Sequence, residues 1–306
     1  MNGIQKVIKY CAMAFAVFLS VIIIGSIAAV VLKVVAGVAI GNEISESRER
    51  VDLSEQYSAE EIAAEGINSI LIDCNGEILV QPGDVLSVEA SDVVEGYEIR
   101  LENGRISLKN REPEFLENWL SWFDDVAVQE KVVVTIPAGF VPDEVKLYSG
   151  SGKVSVEKLT AGLLFVDSGS GKVLISDASL TETELDAGSG SVTVNNSKLG
   201  KLYLDSGSGA IRMENVVAED ADVDSGSGAV KYTGELTGNC DFETGSGSVA
   251  LTLNGSEEEY RIEADCGSGT FRVNGKKLED GSYGRNVKGE LNIDSGSGSV
   301  SVEFVD

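Results

Sequence analysis

Asp167, Asp186, Asp205, Asp224, Glu243, Asp265 and Asp294 each stand two residues ahead of a Gly-Ser-Gly triplet, in the setting Asp-Ser-Gly-Ser-Gly or a close variant. Carboxylates repeated at one structural position lend themselves to three kinds of chemistry. They can hold Ca²⁺ or another cation in a ladder, or draw in a cationic ligand. They can accept the backbone N–H two residues on, in an Asx-turn that pins a tight corner. Or two of them can divide the roles of general acid and general base. That last use needs a few irregular side chains converging in a cleft, and nothing marks one repeat as different from its neighbours. The chain has no histidine, which removes Ser-His-Asp triads, Cys-His dyads and His-ligated zinc. The nonapeptide glycine-aspartate repeats of calcium-binding solenoids are also missing. The expectation is no cofactor and no enzyme, with the Asx-turn as the structural reading of the aspartates and a Ca²⁺ ladder as its alternative.

The elements that carry these residues follow from the spacing. The triplets begin at Gly150, Gly169, Gly188, Gly207, Gly226, Gly245, Gly267 and Gly296, so the first five intervals are 19 residues and the last two 22 and 29. A fixed short period means stacked structural units. Three residues before each triplet an apolar residue recurs, as in Val166, Leu185, Leu204 and Val223, and the residue just before it is small, as in Ser168, Ala187 and Ser206. After it the second and fourth positions are apolar, as in Val173 and Ile175 or Val192 and Val194. Alternation on both sides of the corner predicts strand, turn, strand, with one face buried. Glycine at the corner supplies unusual backbone angles and lets neighbouring corners approach closely. Parallel crossovers of this kind are right-handed. The fold class is all-β: a right-handed parallel β-solenoid of about eight 19-residue rungs. The carboxylates then form a ladder on the outer face, about 4.8 Å apart.

The chain of 306 residues is 42% hydrophobic and carries a net charge of −26. Such an acidic surface excludes nucleic acid and favours cationic peptides, metal ions or basic protein surfaces. Cys11, Cys74, Cys240 and Cys266 form no C-x-x-C pair or metal-ligand spacing. They read as small apolar residues, with one disulfide among Cys74, Cys240 and Cys266 as the alternative.

From Tyr10 to Leu32 the sequence runs 23 residues without a charge, long enough as a helix to cross a bilayer core of about 30 Å. Lys6 and Lys9 precede it, which places the N-terminus inside and the remainder outside the cell. A cleaved signal peptide, with Ser26 to Ala28 as cleavage site, is the other reading. The organisation is therefore 1–9 cytoplasmic, 10–40 a single transmembrane helix, 41–67 a juxtamembrane linker, and 68–306 the extracytoplasmic repeat domain of a single-pass cell-membrane protein. Ser58 and Glu61 fit a capping box, predicting a short helix over 59–65.

Residues 68–140 alternate without the triplet and read as irregular first rungs of the same solenoid. Residues 112–125 stand apart, because Phe115, Leu116, Trp119, Leu120 and Phe123 fall at helical spacing. That segment reads as a cap over the open sheet end, or else as a contact surface for a partner or membrane through Phe115, Trp119, Trp122 and Phe123. Residues 276–289 read as a cap for the other end.

The single anchor, the opening "LIDCNGEILVQPGD", the bridge "VVVTIPAGF" and the repeated "SGSGKVSVEKL" together resemble the putative-adhesin family of bacterial β-strand-repeat proteins, also called toast-rack domains. The likeness spans roughly residues 68–306 and carries no catalytic motif. It implies an extracytoplasmic parallel β-solenoid and a non-enzymatic role in binding or envelope sensing. The partner is then an envelope component, a cationic peptide or another membrane protein. Two other readings stand beside it: a structural solenoid that self-assembles into homo-oligomers through open rung edges, and a polysaccharide-active β-helix enzyme.

Overall fold

The computed structural model describes residues 50–110, 130–285 and 287–305. The expected transmembrane helix (10–40) and the aromatic segment with Phe115, Trp119, Trp122 and Phe123 lie outside the described residues. No helix among the described residues is long and apolar enough to cross a membrane.

The described chain opens with β1 (Arg50–Tyr57) and the short helix α1 (Ala59–Ala64). Then come β2 (Ser69–Cys74), β3 (Glu77–Gly83), β4 (Leu86–Val94), β5 (Tyr97–Glu102), β6 (Arg105–Asn110) and β7 (Lys131–Pro137). The regular repeats supply β8 (Glu144–Ser149), β9 (Val154–Glu157), β10 (Thr160–Ser168), β11 (Val173–Ser176), β12 (Ser179–Ala187) and β13 (Val192–Asn195). They continue as β14 (Lys198–Ser206), β15 (Ile211–Ser225), β16 (Val230–Thr244) and β17 (Val249–Asn254). The last six are β18 (Tyr260–Asp265), β19 (Phe271–Val273), β20 (Lys276–Leu278), β21 (Gly281–Gly284), β22 (Gly289–Ser295) and β23 (Val300–Val305).

Each rung has one strand before its Gly-Ser-Gly corner and one after it. Strands of the first kind pair in parallel with one another and those of the second kind likewise, with partners 19 residues apart through the regular repeats, as in Val166 with Leu185 or Val173 with Val192. The buried residues are the alternate ones the period marks: Val166, Leu185, Leu204 and Val223 before the corner, Val173, Val192 and Ile211 after it. They form one continuous apolar core along the stack.

The stacking order departs from the chain order at both ends. Before the corner the layers run β6, β2, β8, β10, β12, β14, β15, β16, β22, β18. After it they run β7, β3, β9, β11, β13, β15, β16, β17, β23, β19. The eight expected triplet-bearing rungs are present, and residues 68–140 add two irregular layers, β2 with β3 and β6 with β7, so the described strands make ten layers. The expected consecutive order is corrected, because the last two rungs in the chain are transposed. β23 lies between β17 and β19, so the C-terminal strand is paired on both sides and is no open edge. The outermost layers are bordered by antiparallel strands instead. β5 and β4 flank β6 and β7, and β21 and β20 flank β18 and β19. Antiparallel reversal at a rim ends a parallel coil, because the next chain segment no longer presents the same ladder pattern.

Residues 50–57, expected within the linker, instead form β1 and pair antiparallel with β4 along its length. The expected capping box is present: the Glu61 N–H donates to Ser58 Oγ at 3.3 Å, and the Ser58 N–H donates to the Glu61 carboxylate at 2.8 Å. Cys74, Cys240 and Cys266 are free and buried, with no disulfide among them. Burial pushes the Cys74 and Cys240 thiols up to about 12 and about 11 respectively, which leaves both as neutral, unreactive packing groups.

Candidate binding face

The carboxylates predicted as a ladder do align. Asp167 pairs with Asp186, Asp186 with Asp205, Asp205 with Asp224, and Asp224 with Glu243. Glu243 then pairs with Asp294 and Asp294 with Asp265, so the last two members are exchanged relative to the chain order. The column extends in the other direction through Tyr148 to Asp73. All seven point away from the core; Asp167 is half-buried and the other six are exposed.

The Asx-turn reading fails for this ladder. Among the described residues only Asp265 accepts the N–H two residues on, from Gly267 at 3.1 Å. Elsewhere that N–H is already committed: Gly169, Gly188, Gly207, Gly226 and Gly245 donate to the carbonyls of Ser149, Ser168, Ala187, Ser206 and Ser225 in the layer before. A backbone donor used between layers is not free for a side chain. Gly267 belongs to the end layer and has a φ of +48°, unlike the other corner glycines. There alone the local turn replaces the inter-layer bond.

What the corners share is a small buried residue beside the aspartate, whose hydroxyl bonds the corner backbone at some layers, while Ala187 has none and Ser168 Oγ has no partner among the described residues. Ser225 Oγ donates to the Gly228 carbonyl at 3.1 Å and Ser149 Oγ to that of Gly152 at 3.2 Å. Thr244 Oγ1 accepts the Gly247 N–H at 2.9 Å, as Ser295 Oγ does from Gly298 at 2.9 Å. The glycines serve stacking more than backbone angle. A Cβ at Gly190 or Gly209 would run into the carbonyl of Gly171 or Gly190 in the adjacent layer, and neither has a positive φ.

A second periodic corner went unread in the sequence. Lys158, Asp177, Asn196 and Asn215, again 19 residues apart, all adopt left-handed backbone, with φ of 53°, 55°, 50° and 55°. Asn215 Nδ2 donates to Asn196 Oδ1 at 3.0 Å. The Asp/Asn recurrence was the available signal, since these residues tolerate that conformation best after glycine.

Beside the ladder runs a second outward column of Lys146, Phe165, Glu184, Tyr203, Asp222, Asp241, Asn292 and Glu263. Two depressions lie along this face. One of about 280 Å³ is lined by Phe165, Glu184, Asp186, Tyr203, Asp205, Asp222 and Asp224 together with Leu185 and Leu204. The other, about 530 Å³, lies by the rim formed by β21 and is lined by Asp241, Glu243, Glu263, Asp265, Asp280 and Asp294 among others. Partial burial, then the neighbouring Asp167 and Asp205, raises the Asp186 carboxyl above its ordinary value. Partial burial, then Asp222 and Asp205, raises Asp224. Repulsion from Asp224 leads in raising Glu243. Among the described residues no three His, Cys, Asp or Glu side chains cluster tightly enough to hold a metal ion. The ladder spaces its charges one per layer and does not close around a point.

The sequence matches the family model Toastrack DUF4097 over residues 87–306, and the chain belongs to that family. Solved structures that the chain matches include a putative cell adhesion protein from Clostridium sporogenes, 13% identical, covering 84% of this chain and 100% of that one at a TM-score of 0.30. A putative adhesin from Bacteroides fragilis is 13% identical and covers 84% and 99% at 0.37. One from Parabacteroides distasonis is 13% identical and covers 85% and 98% at 0.40. No curated protein matches the sequence.

Proposed function

We propose that this chain is a membrane-anchored, extracytoplasmic, non-enzymatic binding module of the cell envelope, adhesin-like in role, with the acidic ladder as its contact face. The observation that carries this reading is a ladder of like charges that the backbone does not use. Six of its seven members, Asp265 excepted, accept no backbone N–H among the described residues. The carboxyls of Asp186 and Asp224, through partial burial and then neighbouring acids, and of Glu243, chiefly through Asp224, are raised above their ordinary values. A feature that opposes folding and is not needed by the fold is accounted for by function. Its repetition suits binding to an extended, cationic surface and not turnover at one point. The charge-free run 10–32 with Lys6 and Lys9 ahead of it supports the outside placement. The antiparallel rims, with Lys276 and Lys277 exposed on β20, weigh against self-assembly through open edges.

The test is co-sedimentation of the detergent-solubilised full-length protein with isolated cell walls, using the wild type and the triple variant Asp186→Asn, Asp205→Asn, Asp224→Asn. The wild type is expected to pellet with the walls and the folded variant to stay in the supernatant. Equal pelleting of the two, or no pelleting of the wild type, would overturn the reading.

A further inference from the structure

The smaller of the two depressions differs from the rest of the acidic face in having an aromatic floor. In the second column, Phe165, Glu184, Tyr203 and Asp222 occupy successive layers, which sets the two rings about 10 Å apart with a carboxylate between them. The parallel run of the ladder beside them is Asp167, Asp186, Asp205 and Asp224. Phe165 is half-buried and held against Tyr148, ring centroids 5.3 Å apart. Tyr203 is 42% exposed and among the few large hydrophobic side chains left open to solvent.

A bare divalent cation gains nothing from such a floor. A side chain with an aliphatic stem and a cationic head uses every part of it. The stem lies on the rings, the head sits over the negative face of an aromatic, and Glu184 between the rings, with Asp186 and Asp205 of the ladder beside them, accepts its N–H donors. Arginine fits best, because its planar guanidinium stacks on aromatic faces and can bond two oxygens at once. The net charge of −26 supplies long-range attraction for a polycation but no choice among polycations; the rings supply the choice.

We infer that the groove between Phe165 and Tyr203 is the anchoring subsite for arginine-bearing peptide segments, in which the aromatic pair confers selectivity and the surrounding carboxylates confer attraction. This inference rests on the reading of the acidic face as a contact surface and adds to it the identity of the anchor and the chemical class of the partner.

The test uses full-length protein and three probes: fluorescently labelled deca-arginine, labelled deca-lysine and Ca²⁺ alone. Binding is followed by anisotropy over a series of salt concentrations. Wild type is expected to prefer deca-arginine over deca-lysine. The double variant Phe165→Ala, Tyr203→Ala is expected to weaken deca-arginine by about 5- to 20-fold and bring the two peptides close together, with the salt slope unchanged. The variant Asp186→Asn, Asp205→Asn, Asp224→Asn is expected to lower the salt slope for both peptides alike. Tyr203→Phe keeps a ring and is expected to retain most of the preference, which separates ring loss from misfolding. An unchanged arginine preference in the aromatic variant would overturn this inference while leaving the acidic face as a contact surface. Loss of neither binding nor salt slope in the Asn variant would overturn that surface itself. Calcium competing at stoichiometric levels would replace a peptide subsite with a metal site.

Discussion

The two outer faces of the same rungs make an internal control. Before each corner the exposed columns carry Asp167, Glu184, Asp186, Asp205, Asp222, Asp224, Asp241, Glu243, Glu263, Asp265 and Asp294. After each corner the equivalent central column reads Ser155, Leu174, Thr193, Arg212, Lys231, Ala250, Ser301 and Arg272, with no acid in it. Both faces share one backbone, one period and one core. That column stacks as regularly without carboxylates as the ladder does with them, the acids of the later face (Glu157, Glu214 and Glu303) standing in the neighbouring column and only at some layers. Stacking therefore does not need an acid at every layer, and the unbroken carboxylate column is a property of the surface before the corner. The comparison also separates two roles that share the motif Asp-Ser-Gly-Ser-Gly: the small residue and the glycines build the corner, while the aspartate decorates it.

The sharpest way to break the comparison is at the corner itself, which both faces depend on. Gly209→Ala places a Cβ against the Gly190 carbonyl, a backbone atom that cannot move without shifting its layer. A loss of at least about 3 kcal/mol in urea unfolding is expected, with both faces disrupted together. A mild effect would show that the layers slide more freely than close packing allows.

The next largest effect separates the faces. Folding raises the carboxyls of Asp186, Asp224 and Glu243 above their unfolded values, so the native state binds more protons than the unfolded state near and just above the ordinary carboxylate range. Their contribution to stability is therefore gained as pH falls through the raised values, and lost as pH rises through them. Thermal melting at low salt is expected to improve as the pH falls from 7 into that range. Added salt at pH 7 is expected to mimic the gain by screening. In the triple variant Asp186→Asn, Asp205→Asn, Asp224→Asn both responses shrink and the melting temperature at pH 7 rises. A variant that melts lower than wild type would restore a structural role to the ladder.

Smaller still is the effect at the return corner. Lys158 holds a left-handed conformation that glycine adopts without cost and asparagine more readily than lysine, as Asn196 and Asn215 do in the same column. Lys158→Gly is expected to stabilise the protein by about 0.5–1 kcal/mol in denaturant unfolding. The smallest change is Arg212→Ala on the other face, where side chains are solvated. It is expected to leave stability within about 0.5 kcal/mol and sedimentation with cell walls unaltered.

Much of this was legible in the residues. The 19-residue spacing of Gly169, Gly188, Gly207 and Gly226 gave the layers, and the alternation around them gave the core and the outward ladder. The capping box at Ser58 and Glu61 was legible because it is closed by residues three apart. What escaped was decided by contacts far apart in the chain. Among the described residues the strand over 50–57 is paired by β4, with Tyr57 opposite Leu86 and Arg50 opposite Val94, and its polar composition gives no period that would announce it. The aromatic pair Phe165 and Tyr203 looked like two scattered residues, because they meet along a column only once the layers are in register. The return corner was hidden by its varied side chains, with lysine standing where asparagine recurs.

The sequence alone determined the repeating unit, the buried positions and the sign of the surface, because each depends on residue type and local spacing. Tertiary structure alone decided two other things. It inserted β22 and β23 inside the stack, since any rung with the same period can pair with any other and only the connecting segments choose the order. It also took the corner N–H groups from the aspartates and gave them to carbonyls in the next layer, since a donor makes one good bond and the continuous inter-layer ladder won the competition.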